Sequence, residues 1–285
     1  MTLPMDRPTS ETMASEFARD GFTVARGLFS ASEVATIRDA FMEANQDGPV
    51  EGLSETRRKR ADGTEGAYDA SDPLLFYPRM MHPHRHPDRL VGRIARHYML
   101  DARLKPILED CMGEEPVAVQ SMFYFKPPGA RGQALHQDNF YLRVKPGTCC
   151  AAWIAIDDAD AGNGGMMCVP NTQAYAIQCP EIADPTLFFS TEYVEPPPGL
   201  EPRSLNLKAG DALFFNGNVI HGSYPNSSSD RFRRSLICHY VPLSTTEMSH
   251  WYRQPMRFDG TVIEYQLNAE GGPCGTPQDR VPGPH

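Results

Sequence analysis

The chain has 285 residues, 27 basic and 36 acidic, for a net charge of −9; it can bury a sizeable core and has no general attraction for nucleic acid or an anionic membrane. Its longest uninterrupted apolar run, Cys149 to Ile156, falls far short of the ~20 residues that span a bilayer. Met1 to Ser10 holds no apolar stretch of the secretory kind, which makes a cytoplasmic location the expectation.

In chain order, Thr12 to Ala18 reads as a helix broken at Asp20-Gly21, and Phe22, Val24 and Leu28 follow as a short strand or turn. Ser30 with Glu33 forms a capping box ahead of Val34, Ile37, Phe41 and Met42, which recur at helical spacing. From Gly48 to Ser71 the text turns polar and includes Arg57-Arg58-Lys59-Arg60, the composition of an exposed loop or lid. One further helical stretch is expected from about Asp88 to Met112, ending near Gly113. Beyond Glu115, short apolar runs separated by Pro and Gly give the strand signature around Val117, Ala151, Met166, Asp211 and Arg233. Helices first and a strand-rich body after them predict an antiparallel double-sheet barrel with helices packed outside. The expected organisation is one domain over residues 1–285: a mostly helical part with a lid (1–115), a barrel core (116–243) and an extension (244–285), whose stretch from Gly271 is expected to be partly disordered. Seven cysteines without a Cys-x-x-Cys pair are expected to be reduced, packed thiols.

His136-Gln137-Asp138 is the first chemically pointed feature. In an extended segment residues i and i+2 share a face, so an imidazole and a carboxylate can aim at one point. His221, which reads as ending a strand before the flexible Gly222, is the candidate third ligand. Two histidines and one carboxylate opposite open positions are the ligand set of non-haem Fe(II) oxygenases. About a dozen residues on, Arg233 and Ser235 share a face, and an arginine there can grip the far carboxylate of a diacid such as 2-oxoglutarate. Arg231 and Arg234 are rivals for that role. His82, His84 and His86 read as substrate rim or plain surface, His239 as a packed core histidine, and Asp157, Asp158 and Asp160 as a solvated turn. Tyr124, Asn139, Phe140, Tyr141, Trp153 and His82 are the candidates for the substrate pocket.

These segments resemble the phytanoyl-CoA dioxygenase (PhyH) family of Fe(II)/2-oxoglutarate oxygenases. The likeness runs from Phe17-Ala-Arg-Asp-Gly-Phe through Gln120-Ser-Met-Phe-Tyr-Phe-Lys-Pro-Pro, His136-Gln-Asp, Ala152-Trp153 and Asn163-Gly-Gly-Met to Gly210-Asp-Ala-Leu-Phe-Phe, His221-Gly-Ser and Phe232-Arg-Arg-Ser. It covers most of residues 15–243. It implies a double-stranded β-helix, or jelly roll, with iron on His136, Asp138 and His221. It also implies 2-oxoglutarate on Arg233, with Ser223, Gln120, Met122 and Ser235 as supporting contacts. O2 and a small-molecule substrate complete the implied reaction, which releases succinate and CO2. The chain departs from the family in Pro170-Asn171-Thr172-Gln173, where Pro-Gly-Ser-His is frequent. Halogenating relatives replace the metal carboxylate, and Asp138 disfavours that chemistry here. The acidic balance suits a cationic substrate, such as the aminoglycoside antibiotics that related dioxygenases tailor. An acyl-CoA hydroxylase and a non-oxygenase, cupin-like metal-binding protein are the alternatives.

Overall fold

The structure, a computed structural model, describes residues 10–59, 64–268, 272 and 274. Helix α1 (Ser10–Asp20) stops at Gly21, which adopts φ +84° against Val219 and leads into strand β1 (Phe22–Ala25). Helix α2 (Ala31–Ala44) opens on the expected capping box: the Glu33 amide donates to Ser30 Oγ and the Ser30 amide to Glu33 Oε2. The basic tract is not the plain loop expected, because β2 (Arg57–Lys59) pairs antiparallel with β3 (Glu65–Ala67), and residues 60–63 lie outside the described part. Strand β4 (Met80–Met81) follows. The single helix expected before Gly113 is two, α3 (Leu90–Met99) and α4 (Leu104–Met112). The Asp101 carboxylate accepts from the Arg103 amide at 2.9 Å, a local turn that competes with helix continuation. Gly113, at φ +77°, terminates α4 as read.

Strands β5 (Pro116–Tyr124) and β6 (Gln133–His136), the one-turn helix α5 (Asn139–Leu142), β7 (Cys150–Ala155) and β8 (Met166–Cys168) begin the barrel. A small hairpin, β9 (Glu181–Ile182) with β10 (Glu192–Tyr193), precedes β11 (Arg203–Ser204), β12 (Ala212–Asn216), β13 (His221–Ser223) and β14 (Ser235–Pro242). Strands β15 (Glu247–Met248) and β16 (Gln266–Leu267) form a parallel pair. Two antiparallel sheets result, ordered β1-β12-β7-β14-β5-β4 and β11-β8-β13-β6. This is the double-sheet jelly roll the sequence predicts.

Side-chain alternation on the six-stranded sheet decides where the site sits. Phe123, Ile154, Phe214, Leu236 and Tyr240 face outward into one core with helices α1–α4. Met122, Tyr124, Trp153, Phe215 and Ile237, one residue out of phase, face the smaller sheet. Each such fully buried side chain is worth about 1.5–3 kcal/mol relative to exposure. The helices therefore brace one face and leave the inter-sheet space for polar chemistry.

One reading of the cysteines is corrected: Cys179 and Cys274 form a disulfide across 95 residues of sequence. A bridge between distant segments leaves no local spacing to read. The five free thiols include the buried Cys149, Cys150, Cys168 and Cys238, matching the packed reading. Among the described residues no helix is long and apolar enough to cross a membrane. The readings for residues 1–9 and for most of the stretch after Gly271 fall outside the described residues.

Candidate metal centre

His136 closes β6 and His221 opens β13, and the two residues face each other in the antiparallel register of the smaller sheet. His221 thus begins a strand rather than ending one. Gly222 lies inside that strand, where an added Cβ would fall 2.8 Å from the Gln133 carbonyl oxygen; close strand approach, rather than a turn, requires glycine there. Asp138 also arrives differently from the expectation. The strand stops at His136, and Asp138 has helical dihedrals (φ −59°, ψ −37°) at the head of α5. A turn, not strand alternation, brings its carboxylate back.

The outcome is a tight, buried cluster. One ligand atom from each of His136, Asp138 and His221 lies within 4.8 Å of the others. Asp138 Oδ1 is 3.4 Å from Nε2 of both histidines. The second nitrogens, Nδ1, donate to the backbone carbonyls of Ala134 (2.7 Å) and Val219 (2.9 Å), which leaves each Nε2 lone pair aimed inward. Burial, and then neighbouring His221, push His136 below the ordinary imidazole range, so it is a neutral ligand. A buried carboxylate ringed by imidazoles carries a desolvation cost of several kcal/mol that a divalent cation offsets. The donor set therefore fits a 2-His-1-carboxylate metal.

A cavity opens on this cluster, and Met122, Tyr124, Trp153, Phe215, Ser223 and Arg233 line its walls. Arg233 is buried. Its Nε donates to the Gly164 carbonyl (2.9 Å) and its Nη1 to Ser235 Oγ (2.8 Å), and its guanidinium carbon stands 5.4 Å from the Trp153 ring centre. Burial pulls Arg233 down to about 10. Lys126, also buried, donates to Ser223 Oγ (2.8 Å) and the Tyr224 carbonyl (2.6 Å); burial and the nearby Arg233 push it well below the usual lysine range. Arg233, a buried cation on the cavity wall whose hydrogen bonds go to a hydroxyl and a carbonyl and not to a carboxylate, makes a site for an anion. The rivals are engaged elsewhere: exposed Arg231 pairs with Asp160 (2.7 Å), and Arg234 with Asp157 (2.7 Å). Asp158 pairs with Lys208, so those aspartates form ion pairs rather than a bare solvated turn.

Not every candidate reaches the cavity. Gln120 is fully buried opposite His239, and Ser235 acts through Arg233. In α5, Asn139 accepts from the Val144 amide (2.9 Å), and Phe140 and Tyr141 pack into a separate apolar cluster off the cavity wall; the Tyr141 ring also stands 6.3 Å from that of His136. His82 and His84 are buried rather than surface, with rings 5.9 Å apart, and His84 meets Ser121 Oγ at 2.7 Å. His82 packs near Tyr252 and does not line this cavity. Two residues were underweighted by the sequence. His239 lines the cavity and bonds Asp138, and its place six positions after Arg233 on alternating text was the available signal. Lys126 was visible only as part of a Lys-Pro-Pro motif.

The profile of the phytanoyl-CoA dioxygenase (PhyH) family matches residues 17–235. Phytanoyl-CoA dioxygenase 1 of Oryza sativa subsp. japonica is 25% identical over 239 residues, covering 82% of this chain and 79% of the rice protein. Among solved structures, the carbocyclase SnoK of nogalamycin biosynthesis aligns with a TM-score of 0.62 at 20% identity, covering 85% of this chain and 89% of SnoK. The epimerase SnoN in complex with Fe3+, alpha ketoglutarate and nogalamycin RO also aligns at 0.62 and 20%, covering 83% and 85%. The chain belongs to the phytanoyl-CoA dioxygenase (PhyH) family, and with it to the iron- and 2-oxoglutarate-dependent oxygenases.

Proposed function

We propose that this enzyme oxidises an unactivated C–H bond of a small molecule, with 2-oxoglutarate as co-substrate and release of succinate and CO2. The observation that carries this reading is one cavity lined both by the three-ligand cluster and by the buried cation Arg233. His136, Asp138 and His221 would hold Fe(II), with 2-oxoglutarate as its co-substrate in the same cavity. The bound iron supplies the oxidising power for C–H cleavage. Arg233 grips the far carboxylate of the diacid, with Ser235 orienting its guanidinium, while Ser223, held by Lys126, adds a hydroxyl beside it. Trp153, Met122 and Phe215 close the cavity against water, and Tyr124 and Tyr141 stand toward the substrate side.

For the substrate, we favour a cationic natural product in a tailoring reaction, the aminoglycosides being the class to try first. Three observations support this: the net charge of −9, the half-buried Glu192 that accepts from Tyr141 near the metal cluster (3.3 Å), and structural neighbours from nogalamycin biosynthesis. An acyl-CoA substrate is the second reading, favoured by the names of the plant relatives. Substrate-stimulated succinate release across aminoglycosides, small amines and acyl-CoA esters separates them. Stimulation by amines supports the first reading, and stimulation by acyl-CoA alone overturns it.

A further inference from the structure

His239 sits on β14, the strand held between β5 and β7, opposite Gln120 on one side and Ala151 on the other. Its Nε2 lies 2.9 Å from Asp138 Oδ2, and both side chains are buried. The other carboxylate oxygen, Oδ1, is the one close to both ligand imidazoles. The two oxygens are thereby made unequal: one faces the ligand nitrogens and the other faces an imidazole. An ionised carboxylate only accepts, so the imidazole donates through Nε2–H.

This inequality matters for coordination number. A carboxylate beside a divalent ion can bind through one oxygen or both, and the second mode takes a position that a co-substrate needs. A facial centre works only while its open positions stay open. We propose that His239 is the positioning residue of the centre: its hydrogen bond to Oδ2 keeps Asp138 bound through Oδ1 alone and so preserves the positions opposite the triad. The inference rests on the metal-site reading above. A central-strand residue suits this task, because its backbone is hydrogen-bonded on both sides and cannot drift with the loops.

Anaerobic Co(II) titration of the full chain, read by visible absorption and followed by 2-oxoglutarate titration of the Co(II) form, tests the proposal. His239→Phe keeps the shape and removes the donor; it should leave Co(II) uptake within about threefold of the parent but weaken 2-oxoglutarate binding to the Co(II) form roughly 10-fold or more, whereas His239→Gln, which keeps an N–H, should stay within about threefold of the parent in both. A Phe variant that binds both Co(II) and 2-oxoglutarate as the parent does, or a Gln variant as weak as Phe, would reduce His239 to packing and overturn the proposal. Histidine-labelled NMR of the unmutated Zn(II)-loaded chain gives a second reading that does not depend on a variant folding: a protonated Nε2 on His239 is expected, and a bare Nε2 refutes the donor role. If the unmutated chain takes up no Co(II), the metal-site reading itself fails; if it binds Co(II) and only the variants disagree, the inference about His239 alone fails.

Discussion

Lys126 donates from Nζ to Ser223 Oγ at 2.8 Å, which braces a residue of the cavity wall on the strand that carries His221 two residues earlier. The contact links co-substrate and metal through one short strand. Replacing Lys126 by Met should raise the 2-oxoglutarate requirement roughly 10-fold or more, since a hydrogen bond to a charged group is worth about 1.5–3 kcal/mol. Metal uptake should hardly change. Succinate release against 2-oxoglutarate concentration, with Co(II) titration beside it, checks the separation; equal losses in both would contradict it.

Arg233 carries the larger share. Truncating one partner of a buried charge pair costs about 2–5 kcal/mol, so Arg233→Ala should weaken 2-oxoglutarate at least ~30-fold. Arg231→Ala removes an exposed pair with Asp160 and should leave that requirement within about twofold. Equal effects of the two substitutions would relocate the carboxylate grip.

Gly222 joins backbone packing to the ligand set. An added methyl group meets the Gln133 carbonyl at 2.8 Å and Ala134 at 3.2 Å, so β6 and β13 must separate and carry His136 and His221 apart. Gly222→Ala should cost ~1–3 kcal/mol of stability, the usual range for overpacking, and weaken metal uptake along with it. Unfolding by denaturant with and without Co(II) measures both, and a variant with unchanged metal stabilisation would show that the strands tolerate the methyl.

Acid should destabilise the metal-free protein through buried histidines away from the centre. Burial, with the Arg85 charge next, pulls His82 down to about 3, and burial pushes His84 well below the ordinary range. Their unfolded forms take a proton near 6.5, so below that pH the unfolded state binds more protons than the folded one and stability falls. The loss should set in near pH 6.5 and continue toward about 3, at up to ~1.4 kcal/mol per pH unit for each such histidine. Glu33, held at about 2 by Arg103 and by the Ser30 amide and hydroxyl, should add its own loss below about 4.5. Denaturant midpoints between about pH 7.5 and 5 check the first window; His82→Phe should flatten the slope, and an unaltered slope would assign it elsewhere.

Sheet and helix patterning were legible because burial imposes period two and period 3.6 on the text, as in Ala151-Trp153 against Ala152-Ile154 and in the Ser30–Glu33 box. The ligand identities were legible too, but part of their geometry was not. Asp138 and His221 were placed by strand arguments, yet one heads a helix and the other opens a strand, since hydrogen-bond register rather than local pattern ends β6 and starts β13. His239, Lys126 and the Cys179–Cys274 bridge depend on contacts across some 95 residues or more, and a side chain's partner at that range is set by topology. His82 misled for the complementary reason: prolines beside a histidine look like a surface loop, while here the neighbouring turn is buried.

The most direct test of the central claim is anaerobic titration of the full chain with Fe(II) and then 2-oxoglutarate, followed by visible absorption. A weak charge-transfer band that appears only with both components, saturates at one of each per chain, and is lost in His136→Ala and Asp138→Ala is the result expected. Absence of the band under saturating Fe(II) and 2-oxoglutarate, or its survival unchanged in both variants, would contradict the placement of the metal and its co-substrate in this cavity.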